Sequence, residues 1–219
     1  MTRRPTIEEL HDDLLFKKIA AVEHDRIKDF VVEQVTGDNK LVPVYMVYQT
    51  LMLLTGLFFF ARAIILAYRG ETVYLWVSFA AVAFSFTLLV VIHELLHGFA
   101  LKLAGAPRVT YGGMLRKFIF YAEADRFILG KNAFLFVALT PLVVIQLITV
   151  AGIILWFSTP FVYLFLVVMS LHSFFCAGDI ALATIFLKFP GRAVYTYDNR
   201  SERISYYFVE KDVSGPPES

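Results

Sequence analysis

Val91-Ile92-His93-Glu94-Leu95-Leu96-His97-Gly98 reads H-E-x-x-H and lies near the end of an apolar run that begins at Thr72. A run of this length reads as a membrane-spanning helix, and residues four apart on a helix share a face about one turn from each other. Both imidazoles can therefore reach a single zinc ion. Glu94 follows His93 directly and precedes His97 by three, so it flanks the metal face, where a carboxylate can act as general base toward a water activated by the metal. In a soluble, charge-rich helix the same pattern arises by chance about as often as not, since it fixes only three positions. Its place in an apolar span is what gives it weight.

Composition supports that setting. Of the 219 residues 58% are hydrophobic and 22 are Phe, far from the make-up of a soluble globular domain. Charged residues gather at the N-terminus, in one central segment and at the C-terminus, leaving runs long enough to cross a bilayer, so the lipid bilayer is the first expected partner. The near balance of 20 Lys and Arg against 19 Asp and Glu, with no basic cluster interleaved with aromatics, argues against a nucleic-acid binder. The single cysteine, Cys176, excludes an intrachain disulfide. Arg3 and Arg4 are followed by Glu8, Glu9, Asp12 and Asp13 where a signal peptide needs an apolar core, so no cleavable signal is expected.

Along the chain, Thr6 to about Thr36 reads as an amphipathic helix within a cytosolic segment 1–40, with Ile7, Leu10, Leu14, Ile19, Val22, Ile27, Phe30 and Val31 at three- and four-residue steps. Thr6 with Glu9 forms a capping box and Gly37 a stop. Four spans follow within a transmembrane core 41–188, at about 42–68, 72–101, 133–157 and 161–187. Arg62, near the end of the first, is expected to reach toward the interface. Between the second and third spans, Arg108 to Ala124 has Gly112-Gly113 and then Met114-Leu115-Arg116-Lys117-Phe118-Ile119-Phe120-Tyr121, a β-hairpin or re-entrant insertion. A free edge on such a hairpin could pair with an extended substrate; the alternative is a plain interfacial connection. Pro141, after Thr140, predicts a kinked or opened third helix. In the tail, 189–219, Ala193 to Asp198 and Arg203 to Val209 alternate around Asp198-Asn199-Arg200-Ser201 as a second hairpin, and the Gly-Pro-Pro-Glu-Ser end reads as frayed. The fold class expected is an all-α membrane protein with these small β additions.

The segment Lys102 to Lys131 carries six Lys and Arg, whereas the turns Arg69–Glu71 and Ser158–Pro160 hold one between them, which predicts that this segment and both termini are cytosolic. Counting from the outer ends, His93 and Asp179 lie about 32 and 29 Å along straight helices, at nearly one depth. A carboxylate in an apolar helix costs roughly 2.5 to 3.5 kcal/mol unless paired or bound to a cation. A zinc ion held by two histidines still lacks a third protein ligand, and Asp179 is the residue whose burial that ligation explains. Cys176, one turn away, is the second candidate, and Glu123 and Asp125 are the third. His172, seven residues before Asp179, sits about 10 Å higher on a straight helix, so it is read as assisting substrate, shuttling protons or making a structural hydrogen bond. Gly178 is read as a place where another helix approaches Asp179 closely.

Taken together, the buried His93-Glu94-Leu95-Leu96-His97, the strand-like insertion after it, Pro141 in the next helix and Gly178-Asp179 in a later one resemble the Putative zincin peptidase family of bacterial integral membrane proteins, allied to the site-2 proteases. The resemblance covers about Val42 to Leu187 and implies Zn2+ as cofactor, His93, His97 and Asp179 as its ligands, and Glu94 as the catalytic base. It departs at the aspartate, since site-2 proteases typically have Leu-Asp-Gly where this chain has Ala177-Gly178-Asp179, and no PDZ-like insertion that could read a substrate's end is visible in the sequence. The function expected is an intramembrane zinc metallopeptidase of the bacterial cytoplasmic membrane, cutting membrane-protein or peptide substrates near the cytosolic face. The alternatives are a non-catalytic zinc-binding membrane scaffold or accessory protein, and a zinc-dependent lipid amide hydrolase. His172, Cys176, Thr140, Pro141 and Gly178 are the candidates for contacts with substrate or with the ligands; the oligomeric state is not legible.

Overall fold

The computed structural model describes residues 4–37, 39–114 and 119–211. Arg3, the stretch Leu115-Arg116-Lys117-Phe118 and the Gly-Pro-Pro-Glu-Ser end, which entered the sequence reading, lie outside them. The elements in order are α1 (Ile7–Leu10), β1 (Phe16–Glu23), α2 (Ile27–Thr36), α3 (Leu41–Tyr68), α4 (Val73–Phe86), α5 (Leu88–Leu103), β2 (Thr110–Met114), β3 (Ile119–Glu123), β4 (Leu129–Gly130), α6 (Lys131–Leu155), α7 (Val162–Phe175), α8 (Ala177–Ala183), β5 (Val194–Asn199) and β6 (Ile204–Glu210). They form two compact units, one of Lys40–His97 and Leu139–Ile180, the other of Met1–Asn39, Gly98–Ala138 and Ala181–Ser219.

The first unit is helical. Among the described residues α3 and α6 are, taken singly, the two helices long and apolar enough to cross a membrane, and two further pairs pass only together: α4 with α5, bent by 44°, and α7 with residues 177–187, bent by 40°. Along α3 the most apolar stretch is only 6% buried within the protein, and Val44, Met46, Val47, Leu51, Leu54, Leu57 and Phe58 all point outward. So large an apolar face is stable against acyl chains rather than water. Inside, α3 and α7 approach closely because Gly56 has no side chain. A Cβ there would lie 2.2 Å from Ser170 Oγ, which instead donates to the Met52 carbonyl at 2.6 Å. Arg62 is exposed, and its guanidinium donates to the Tyr163 hydroxyl.

At each bend a side-chain hydroxyl bonds a backbone carbonyl. At Thr87, between α4 and α5, the side-chain Oγ1 donates to the Ala83 carbonyl at 2.7 Å, the acceptor a regular helix would reserve for Thr87 N–H, and that N–H bonds Phe84 O instead. At Cys176, between α7 and α8, the Ser173 carbonyl in the last turn accepts the Tyr45 hydroxyl of α3 at 2.6 Å. No Gly or Pro stands at Thr87, whereas Gly178 follows Cys176 by two residues. Conversely, the expected opening at Pro141 does not interrupt α6, a single 25-residue helix in which the proline ring is fully buried.

In the second unit the strand order is β1-β6-β5-β4, all antiparallel, and β2 pairs with β3 as a separate hairpin from Thr110↔Glu123 to Met114↔Ile119. The expected C-terminal hairpin is present as β5–β6, and the central insertion is a hairpin at β2–β3. Two corrections follow. The chain is mostly helical but not all-α, and the continuous amphipathic helix expected over 6–36 is two short helices, α1 and α2, separated by β1. The capping box at Thr6 and Glu9 is formed, but α1 ends after one turn. A bulge between Lys18 and Ala20 explains why the strand was not seen as one. One extra residue reverses the alternation, so Phe16 packs with Leu10, Tyr197 and Phe208 on one face while Val22 joins Phe186, Tyr207 and Val209 on the other. The resulting spacing imitates a helix, and Leu14, assigned to its apolar face, is 84% exposed.

Candidate metal centre

The helical unit brings His93, His97 and Asp179 together. One turn of α5 places His93 Nε2 3.0 Å from His97 Nε2, and α8 supplies Asp179, with Oδ2 3.3 Å from His93 Nε2 and Oδ1 3.3 Å from His97 Nε2. Both imidazoles are buried, and the Asp179 side chain is 21% exposed. Atoms bound to one tetrahedral zinc at 2.0–2.2 Å stand about 3.3 Å apart, so the spacing suits such an ion. The carboxylate offers a second test. Among the described residues Asp179 Oδ2 is buried and accepts no well-formed hydrogen bond, an arrangement costly for a carboxylate unless a cation lies against it. The donor set, two imidazoles and one carboxylate, is a zinc set with room for a non-protein ligand. The residues fit the ion.

Two further side chains meet His93 from its other edge. His172, fully buried on α7, places Nε2 3.1 Å from His93 Nδ1, and Cys176 Sγ lies 3.6 Å from that same Nε2. These three form a second group whose ligating atoms converge, distinct from the first except for the shared His93. His172 lies outside the His93, His97 and Asp179 group, in keeping with its seven-residue separation from Asp179, and meets His93 instead. Within the unit, Cys176 packs with Tyr45 and Ile180, and Leu139 and Leu142, on either side of Thr140 and Pro141, close over that cluster.

Residues 86–194 match the Putative zincin peptidase family. The zincin-type domain so defined spans just under half of the chain, opens at the bend between α4 and α5, and contains His93, Glu94, His97, His172, Cys176 and Asp179. No curated protein and no solved structure matches the chain.

The other sequence candidates are elsewhere. Glu94 is half-buried on α5 between the two histidines. Glu123 and Asp125 belong to neither convergent group: Arg200 Nε pairs with Glu123 Oε1 at 3.2 Å, and the Arg200 backbone N–H donates to Asp125 Oδ1 at 2.9 Å. Burial pushes the Glu123 carboxyl above its ordinary range, with Asp198 adding to the rise and His24 and Arg200 opposing it. Gly178 does not admit a neighbouring helix. Among the described residues a Cβ on it would meet nothing within 4 Å, so the helix face at Gly178 is open. Tyr45 and Thr87, whose hydroxyls bond backbone carbonyls at the two bends, were missed by sequence reasoning, since neither tyrosine nor threonine is distinctive in an apolar span. The only available signal was a hydroxyl near a helix whose polar residues needed re-aiming.

Proposed function

We propose that the chain is an intramembrane zinc metallopeptidase that hydrolyses peptide bonds of membrane-protein substrates near the cytosolic face. The observation that carries this reading is the convergence of His93 Nε2, His97 Nε2 and the Asp179 carboxylate, with Glu94 on the same helix turn. His93, His97 and Asp179 would hold the ion. Zinc, when bound, supplies a Lewis acid that polarises a scissile carbonyl and acidifies water. Glu94 takes the proton of the attacking water and returns it to the leaving amine, so one carboxylate serves both halves of the reaction. A helical substrate hides its carbonyls in its own hydrogen bonds and must unwind before cleavage. The open side at Gly178 and the partial exposure of Asp179 supply an approach.

In this reading each bent pair is one span, giving four, and the six Lys and Arg between Lys102 and Lys131 set that segment and both termini in the cytosol. Glu94→Gln tests the base. The variant is expected to keep one zinc per chain while cleavage falls by about 10² to 10⁴-fold, the usual worth of a general base. Cleavage at the wild-type rate would remove Glu94 from the role, and a purified wild type with no zinc would remove the peptidase reading.

A further inference from the structure

We infer that His172 is a positioning residue for the metal ligand His93: its Nε2 accepts the His93 Nδ1–H and so holds His93 in the tautomer whose bare Nε2 faces His97 and Asp179. The inference rests on the zinc-site reading and concerns the same site. An imidazole ligates through an unprotonated nitrogen, which leaves the proton on the other nitrogen, and that N–H needs an acceptor. At an exposed site water serves. His93 is 5% exposed, and the group facing its Nδ1 is His172 Nε2 at 3.1 Å. The choice of acceptor has a consequence for His172 itself. To accept at Nε2 it must be neutral and carry its own proton on Nδ1; Cys176 Sγ, 3.7 Å from Nδ1 and 3.6 Å from Nε2, packs beside the ring.

The surroundings fix the ring as well as the proton. The His172 and His93 rings meet at 59° with centroids 5.3 Å apart, and Phe175 stands edge-on to His172 at 87°. Both His172 and Cys176 have no exposed surface. An ion shared by His93 Nδ1, His172 and Cys176 is the competing use of these atoms. With zinc also on Nε2, His93 would have to lose both ring protons to serve it, whereas the hydrogen bond requires only one tautomer. An imidazole acceptor also adds no charge to an apolar helix, unlike the carboxylates that often fill this position beside ligating histidines.

The experiment measures zinc affinity of the full-length chain in detergent by competition with a chelator, together with the visible spectrum of the Co2+-loaded protein. His172→Leu is expected to weaken zinc binding by about 10 to 100-fold and to alter the cobalt spectrum, and His172→Gln, whose Oε1 can accept, is expected to recover much of both. Wild-type affinity and an unchanged spectrum in His172→Leu would overturn this inference alone, whereas a wild type that binds no zinc would overturn the zinc-site reading and this inference with it. Two metal equivalents in wild type, falling to one in Cys176→Ser, would show His172 and Cys176 holding an ion and also overturn it. Should the leucine variant not fold, ¹⁵N resonances of the histidine rings in the zinc-loaded wild type decide: a His93 proton on Nδ1 is expected, and one on Nε2 overturns the assignment.

Discussion

Asp179 and Cys176 stand three residues apart and differ in what surrounds them, which separates their roles. Asp179 turns one oxygen toward each histidine at 3.3 Å, and its Oδ2 accepts no well-formed hydrogen bond, so the carboxylate is oriented for a cation. Cys176 faces His172 and is enclosed by apolar neighbours, where a thiol behaves as a small hydrophobe. Substitution should therefore discriminate. Asp179→Asn removes a charged ligand and is expected to weaken zinc binding by more than the roughly 10 to 100-fold typical of groups that only support a ligand. Cys176→Ser is expected to leave one zinc per chain. Elemental analysis after gentle extraction checks both, and the reverse pattern would make Cys176 the third ligand.

At the scale of elements, the site depends on two bends that bring side chains from α5, α7 and α8 to one place. The bend at Cys176 leaves backbone groups in need of partners, and Tyr45 meets one of them at the Ser173 carbonyl. Tyr45→Phe keeps the ring packed against Cys176 and Ile180 but leaves that carbonyl without the hydroxyl. A loss of about 1 to 2 kcal/mol is expected, read as a lowered unfolding midpoint in detergent. The same bends mark where sequence reading stopped. His93, Glu94, His97 and Asp179 were legible because a buried charged residue in an apolar run has to be explained, and helical spacing then groups them. The hairpins were legible from alternation at Val194–Asn199 and Ile204–Glu210 and from aromatic, branched residues at Ile119–Glu123. The approach of His172 to His93 was not, because it joins two different helices and no spacing within one helix encodes it. Strand β1 was hidden for a comparable reason, its bulge having scrambled the two-residue period.

For the molecule as a whole, the orientation drawn from charge can be tested with the chain's own chemistry. The sole cysteine is fully buried, so a single introduced thiol is read without background. In intact cells a membrane-impermeant thiol reagent is expected to label Glu71→Cys, in the turn between α3 and α4, and to reach Ser201→Cys, in the turn between β5 and β6, only after lysis. The opposite result would invert the topology. The sheet also carries a pH dependence of its own. Asp198 lies in β5, its Oδ1 accepting from Ser205 Oγ at 2.6 Å, and burial holds its carboxyl above the ordinary range, as it does for Glu123. A carboxyl whose folded pKa exceeds its unfolded value, about 3.9 for Asp, binds its proton more tightly when folded. Its stabilising contribution is therefore complete below that unfolded value and is lost as pH rises through the folded one. Hydrogen exchange of the β5 and β6 amides in the full-length protein, corrected for the intrinsic rate, is expected to show protection falling as pH rises above the ordinary carboxylate range. Asp198→Asn keeps an acceptor for Ser205 without the charge, so it should flatten that fall and be better protected than wild type at pH 8. Equal pH slopes in the two proteins would mean that the half-buried carboxylate at Asp198 does not set the stability of the sheet.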